Sequence, residues 1–258
     1  NLEEVAAAVR DNTKLFLTET PANPTMKCTD IAGVSKIARA ADAVHVVDNT
    51  FLTPYYQRPL ELDADMSIYS TTKYMDGHNA TVGGAVVCAT QEHADAVRFI
   101  QGATGSIMSP QVAWLTLQGC KTMSLRLDAQ SANAMAIAEH LEGHDKVKQV
   151  CYPGLKSFAQ HELASSQASG YGAMLWFEVK GGLVAGKKLM DNIDVFSLAE
   201  NLGSVESLIT HPVTMTHAAV EEAERIRVGI IDGLVRVSVG LEDVDDLIDA
   251  LDRALQQV

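Results

Sequence analysis

The 258 residues are 47% apolar and 21% charged, the balance of a folded globular protein with enough chain to bury a sizeable core. Acidic residues number 33 against 20 basic ones, and the resulting net charge of −13 repels polyanions, so no nucleic-acid partner is expected. No run approaches the roughly 18 apolar residues of a membrane helix, and Asn1-Leu2-Glu3-Glu4 is acidic where a secretory leader is basic; no membrane partner and a cytoplasmic location are expected.

Residues 2–10 read as the late part of a helix feeding a strand, and with Asn1 in place of an initiator methionine the N-terminal part of a longer protein is read as missing. Leu15–Thr18 follows as a strand, and Glu19-Thr20-Pro21-Ala22-Asn23-Pro24-Thr25 as an extended loop, because two prolines forbid its continuation. Asp30 is placed to cap a helix whose Ile31, Val34, Ile37, Ala38 and Ala41 keep the 3.6 period. Val44–Val47, Met66–Tyr69 and Ala85–Cys88 read as further strands, the last after Gly83-Gly84. Strands alternating with helices predict an α/β fold with a parallel-rich sheet. A long helical stretch covers Gln111–Leu141, interrupted at Gly119, and a domain boundary is predicted near 125, giving a large domain over 1–125 and a smaller α+β domain over 126–258. There Ala173–Val179, Val195–Leu198 and Leu234–Val239 read as strands, and Val184–Asn192 and Val244–Leu255 as helices. The cysteines at 28, 88, 120 and 151 form no Cys-x-x-Cys and read mostly as reduced, buried thiols.

Ligands of open parallel sheets bind beyond the carboxyl ends of the strands, so the residues just after each strand are the ones to inspect. Asp48 ends the second strand; alone it reads as a cap or turn former. Ser70-Thr71-Thr72-Lys73-Tyr74 ends the third, and its hydroxyls alone read as helix caps, but a lysine between hydroxyls and a tyrosine is poorly placed as a solvated charge. Asn23, between two prolines, is either a turn residue or a rigidly held amide. Jointly these positions match one chemistry. Pyridoxal phosphate needs a lysine amine for covalent attachment, an acid to keep its ring nitrogen protonated, and hydrogen-bond donors for its phosphate. Lys73, Asp48, and the pair Ser70 and Thr72 fit those parts, with Asn23 available to the ring hydroxyl.

The segments Glu19-Thr20-Pro21-Ala22-Asn23-Pro24, Val46-Val47-Asp48-Asn49-Thr50-Phe51, Ser70-Thr71-Thr72-Lys73-Tyr74 and Arg236-Val237-Ser238-Val239-Gly240-Leu241-Glu242, in this order and across the whole chain, resemble the Cys/Met-metabolism family of pyridoxal phosphate enzymes. The nearest branches of that family cleave cystathionine at Cγ or form it from an activated homoserine and cysteine. The resemblance implies an aspartate-aminotransferase-like (type I) fold and a homotetramer, a dimer of dimers with active sites shared across subunits. It implies that Lys73 holds the cofactor, Asp48 pairs with the pyridine nitrogen, and Ser70 and Thr72 hold the phosphate. Arg236 would then clamp the α-carboxylate of an amino-acid substrate, for which a planar fork is suited. The family's further N-terminal stretch, which gives a Tyr/Arg pair to a neighbouring subunit's phosphate and a tyrosine that stacks on the ring, is not in this sequence. Asn201 stands where many relatives have serine beside the carboxylate, Glu200 matches an acid associated with reading the distal amino group of a cystathionine-like substrate, and His211, Thr216 and His217 flank the substrate region. Read alone, Glu200 is a solvated strand-end charge and the other three are loop polar groups.

Other chemistries fit less well. His140 and His144 have the i, i+4 spacing of metal ligands but lack a Glu directly after the first His, so a surface pair and no metal site are expected. No Gly-x-Gly-x-x-Gly run supports a nicotinamide enzyme. A non-catalytic scaffold has no need of Lys73, Asp48 and Arg236 together.

Overall fold

The computed structural model describes residues 1–258. A short helix α1 (Leu2–Ala7) leads into β1 (Leu15–Glu19), and α2 (Ile31–Ala40) crosses to β2 (Val44–Asp48). Asp30 caps α2 as expected: its carboxylate accepts from the Gly33 amide at 2.8 Å, and Ile31, Val34 and Ala38 are buried on the helix face toward the sheet. After α3 (Thr53–Tyr56) and a 3-10 turn at Pro59–Leu62, β3 (Met66–Ser70) and β4 (Gly84–Cys88) complete a four-stranded sheet of order β1-β2-β3-β4. Its first three strands are parallel, whereas β4 runs antiparallel to β3. Both outer strands are open on one side, and on β1 Leu15 and Leu17 are 55% and 63% exposed.

Helix α4 (Gln91–Thr104) is not legible as an amphipathic element, because it buries no residue; Phe99 and Ile100 stand in solvent. The long helical stretch is two helices, α5 (Pro110–Cys120) and α6 (Met123–Glu142), and the break falls at Lys121-Thr122 instead of at Gly119. Gly119 serves contact: a Cβ there would lie 2.3 Å from the Asp76 carbonyl oxygen, so only glycine lets α5 approach the turn after Lys73. The proposed division at 125/126 falls in the first turn of α6.

The second sheet, of order β5-β6-β9-β8-β7, comprises β5 (Val147–Cys151), β6 (Met174–Val179), β7 (Ser197–Leu198), β8 (Leu208–Thr210) and β9 (Leu234–Ser238). It is antiparallel except for the β7–β8 pair. The strand predicted over Val195–Leu198 shrinks to two residues, because Val195 takes a positive φ of 63° that breaks the extended backbone. β5, the three-residue β8, α7 (His161–Gln167) and α9 (Glu222–Val228) were not expected; α8 (Gly182–Asn192) and α10 (Val244–Leu255) were. On α10 an apolar stripe of Leu247, Leu251 and Leu255 is fully buried, and the helix packs against α6 and α8. One core joins both halves: Leu127, Ile137, Leu175, Phe177, Val235 and Val237 pack in the same cluster as Met26, Phe51 and Tyr74 of the first half.

His140 and His144 are tied to a neighbouring helix. Their Nε2 atoms lie 2.7 and 3.7 Å from one Asp252 oxygen, joining the end of α6 to α10. All four cysteines are free, with only Cys28 fully buried. Burial pushes the Cys28 thiol up to about 11, and that of Cys151, also raised by Cys28, to about 12, so both resist oxidation at neutral pH. No helix is long and apolar enough to cross a membrane.

Candidate active site

The site forms where the segment between β7 and β8 lies on the turn that follows β3. Gly203, at φ 79°, makes this approach possible: a Cβ would meet the Tyr74 amide nitrogen at 2.9 Å and Lys73 Cβ at 3.0 Å. The Val205 amide then donates to the Gly77 carbonyl at 2.8 Å, and the Gly203 amide to the Ser238 hydroxyl of β9 at 2.8 Å. The result sets Asn201 against Lys73, whose Nζ donates to Asn201 Oδ1. Burial, and then the positive charge of Arg236, hold the Lys73 amine below the usual lysine range.

Arg236 is the outlier of a fully buried strand. β9 lies between β6 and β8 with all five residues buried, and a charge at its centre, 2% exposed, costs several kcal/mol unless it is well bonded. Its bonds are numerous. Nη1 donates to Asn23 Oδ1 at 3.0 Å; Nη2 reaches the carbonyl oxygens of Glu200 and Asn201 at 3.1 Å and Thr210 Oγ1 at 3.0 Å. Burial pulls the guanidinium down to about 10, against support from Tyr74 and the Glu200 carboxylate, so it stays charged at neutral pH. Its Nε–H is buried without a partner. An orphan donor of that kind costs about 1–3 kcal/mol until an acceptor arrives.

Asp48 and Ser70 end neighbouring parallel strands, and Thr50 couples them: its hydroxyl donates to Asp48 Oδ1 at 2.6 Å and accepts from the Ser70 amide at 2.8 Å. The Thr50 amide adds a second bond to the same Asp48 oxygen at 3.0 Å. Thr72 is already engaged, accepting from the Gly83 amide at 3.0 Å and donating to the Gly83 carbonyl at 3.3 Å, while the buried Thr71 hydroxyl has no partner. Asn23 lies on a loop whose Thr20-Pro21 and Asn23-Pro24 bonds are both cis, and its side-chain oxygen is given to Arg236. Glu200 is exposed at the rim, contributing its backbone oxygen to Arg236. Thr216 is exposed too; its hydroxyl sits 2.8 Å from His217 Nδ1 and makes no hydrogen bond to the Lys73–Arg236 cluster. His211 is buried and bonded to the Asp232 carbonyl and Thr214.

The residues fit pyridoxal phosphate. A lysine amine of lowered proton affinity, a carboxylate at the next strand end, and unsatisfied donors at Arg236 Nε and Thr71 Oγ1 are the groups that this cofactor and a carboxylate-bearing substrate would engage. Sequence reasoning did not find Thr50, Thr210 and Asn79, which bond to Asp48, Arg236 and Asn201 from loops and a short strand without a periodic signal.

Comparison with known proteins agrees. The family described as "Cys/Met metabolism PLP-dependent enzyme" matches residues 1–256. The chain is 44% identical over 256 residues to cystathionine gamma-lyase of Bacillus subtilis (strain 168), covering 99% of this chain and 67% of that protein. It is 44% identical over 261 residues to L-methionine gamma-lyase of Fusobacterium nucleatum subsp. polymorphum, covering 100% and 66%. The crystal structure of cystathionine gamma-lyase from Lactobacillus plantarum complexed with L-serine superposes with a TM-score of 0.97 at 40% identity, over 100% of this chain and 68% of that one. The chain thus spans about two thirds of the length of these relatives.

Proposed function

Because the chain belongs to the Cys/Met-metabolism family of pyridoxal phosphate-dependent enzymes, we propose that it is part of a carbon–sulfur lyase acting at Cγ of an amino acid, cleaving cystathionine to cysteine, 2-oxobutyrate and ammonia. The observation that carries this reading is the convergence of the Lys73 amine and the Arg236 guanidinium on one site, with Asp48 at the adjoining strand end. When bound, the cofactor supplies an electron sink for negative charge developed beside the substrate amine. The chain's own residues do the rest. Arg236 holds the α-carboxylate and so fixes which substrate hydrogen faces Lys73. Lys73, half-buried and of lowered proton affinity, takes the proton from Cα and is placed to return one nearer the leaving group. Asp48, its orientation set by Thr50, keeps the ring nitrogen charged. Ser70, Thr72 and Asn23 are proposed to contact the cofactor, and Asn201, Glu200 and Thr216 the substrate.

Incubating the full-length protein with cystathionine, with methionine, and with O-succinyl- or O-acetylhomoserine plus cysteine, and identifying the products, tests the reading. Cysteine and 2-oxobutyrate from cystathionine are expected; cystathionine formed from the homoserine ester with no cleavage would assign it to γ-replacement instead. We further propose a cytoplasmic homotetramer, a dimer of dimers, a reading that rests on the family resemblance.

Two substitutions probe the substrate side. Arg236→Lys is expected to raise KM for the amino acid about 10- to 100-fold while cofactor remains attached, because an ammonium cannot present a bidentate fork. Steady-state kinetics beside the visible spectrum check this, and unchanged KM would place the carboxylate clamp elsewhere. Glu200→Ala is expected to lose about 10- to 100-fold on cystathionine but little on a γ-substituted substrate without the far ammonium, a charge-assisted bond being worth about 1.5–3 kcal/mol. Equal losses on both would make Glu200 structural.

A further inference from the structure

Asn79 belongs to none of the functional motifs, yet it sits in a polar chain that ends on Lys73. Lys73 Nζ donates to Asn201 Oδ1, Asn201 Nδ2 donates to Asn79 Oδ1 at 2.7 Å, and Asn79 Nδ2 donates to Ser204 Oγ at 2.9 Å and to Glu206 Oε2 at 3.2 Å. Ser204 Oγ itself donates to Glu206 Oε2, which leaves its lone pair for Asn79. Asn79 holds a left-handed φ of 55°, a conformation that asparagine tolerates better than most residues.

The direction of this chain is forced by its ends. A carboxylate only accepts and an ammonium only donates, so each of the two amides between them has one orientation that satisfies both neighbours. Glu206 and Ser204 require the NH2 of Asn79; Asn79 then presents oxygen to Asn201; Asn201 in turn presents oxygen to Lys73. Without Asn79 the Asn201 amide is free to rotate, and its NH2 facing Lys73 would favour the neutral amine.

We propose that Asn79 is a positioning residue that locks the Asn201 amide with its oxygen toward Lys73, so that the lysine, once it has taken up a proton, is docked on an acceptor and holds that proton until it is delivered. The proposal rests on the assignment of Lys73 as the reactive lysine. The charge that acts directly on that amine is Arg236 of β9, which opposes the proton; the Glu200 carboxylate acts on Arg236, and Glu206 stands at the far end of the amide chain.

The test follows the pH midpoint of Lys73 acylation by an amine-selective reagent, read by peptide mass spectrometry on the cofactor-free full-length protein, together with the acid limb of kcat/KM in the loaded full-length protein. Asn79→Gly, which keeps the backbone conformation, is expected to lower the Lys73 midpoint by about one pH unit. Asn79→Asp combined with Glu206→Gln keeps the local charge and reverses the donor between these two positions, still presents an acceptor to Asn201, and is expected to return the midpoint to the wild-type value. Glu206→Gln, which frees the chain's direction at its other end, is expected to move the midpoint the same way by less, and decides the question if Asn79→Gly fails to fold. A folded Asn79→Gly or Glu206→Gln protein that loses thermal stability but keeps the wild-type midpoint overturns the proposal. Failure of the Lys73 assignment is distinguishable, since it would appear as cofactor fixed to another lysine while the Lys73 midpoint stayed measurable.

Discussion

With Lys73 replaced by alanine, the full-length protein is expected to lose at least about 10³-fold of its turnover and all covalent attachment of cofactor, because one amine provides both the attachment and the proton transfers. Burial and Arg236 increase the share of neutral amine at neutral pH, and Asn201 supplies its docking point. The turn between β3 and Gly77 that carries Lys73 is pinned by the Val205 amide, which donates to the Gly77 carbonyl at 2.8 Å. Borohydride fixation followed by peptide mapping reads attachment, and product formation reads turnover. A Lys73→Ala protein that remains labelled on another lysine and active would end the assignment.

The second large effect is expected at Asp48. Asp48→Asn keeps an oxygen for the Thr50 hydroxyl and amide, so the strand end and the Thr50–Ser70 link should survive. What disappears is the negative charge proposed to face the ring nitrogen, and removing one preorganised electrostatic partner of this kind costs about 10²–10³ in kcat. The variant is expected to retain bound cofactor by absorbance and a thermal midpoint near wild type while turnover falls. Wild-type kcat would show that the ring nitrogen has a different partner.

Lys73 and Asp48 were legible because each follows a short apolar run at a sheet's carboxyl edge, where polar residues have chemical work to do. Arg236 was legible only through the resemblance, although its place in Leu234-Val235-Arg236-Val237 is itself a signal: a central strand has no inexpensive position for a charge. The groups that it bonds were not legible. Asn23 lies 213 residues away in sequence, and the carbonyl oxygens of Glu200 and Asn201 have no side-chain signature. Helix α4 escaped for the opposite reason, since a helix that buries nothing shows no period tied to the core of its own chain. The alternation of strands and helices gave the parallel β1-β2-β3 layer, but could not show that β4 turns back antiparallel, because orientation depends on where the connection returns.

The glycine at 203 makes the site depend on backbone contact as much as on side chains. A methyl group there, on a residue held at φ 79°, would push the segment between β7 and β8 off the turn that carries Lys73, so Asn201 would lose its place beside the amine while the β9 strand and the core beneath it stayed packed.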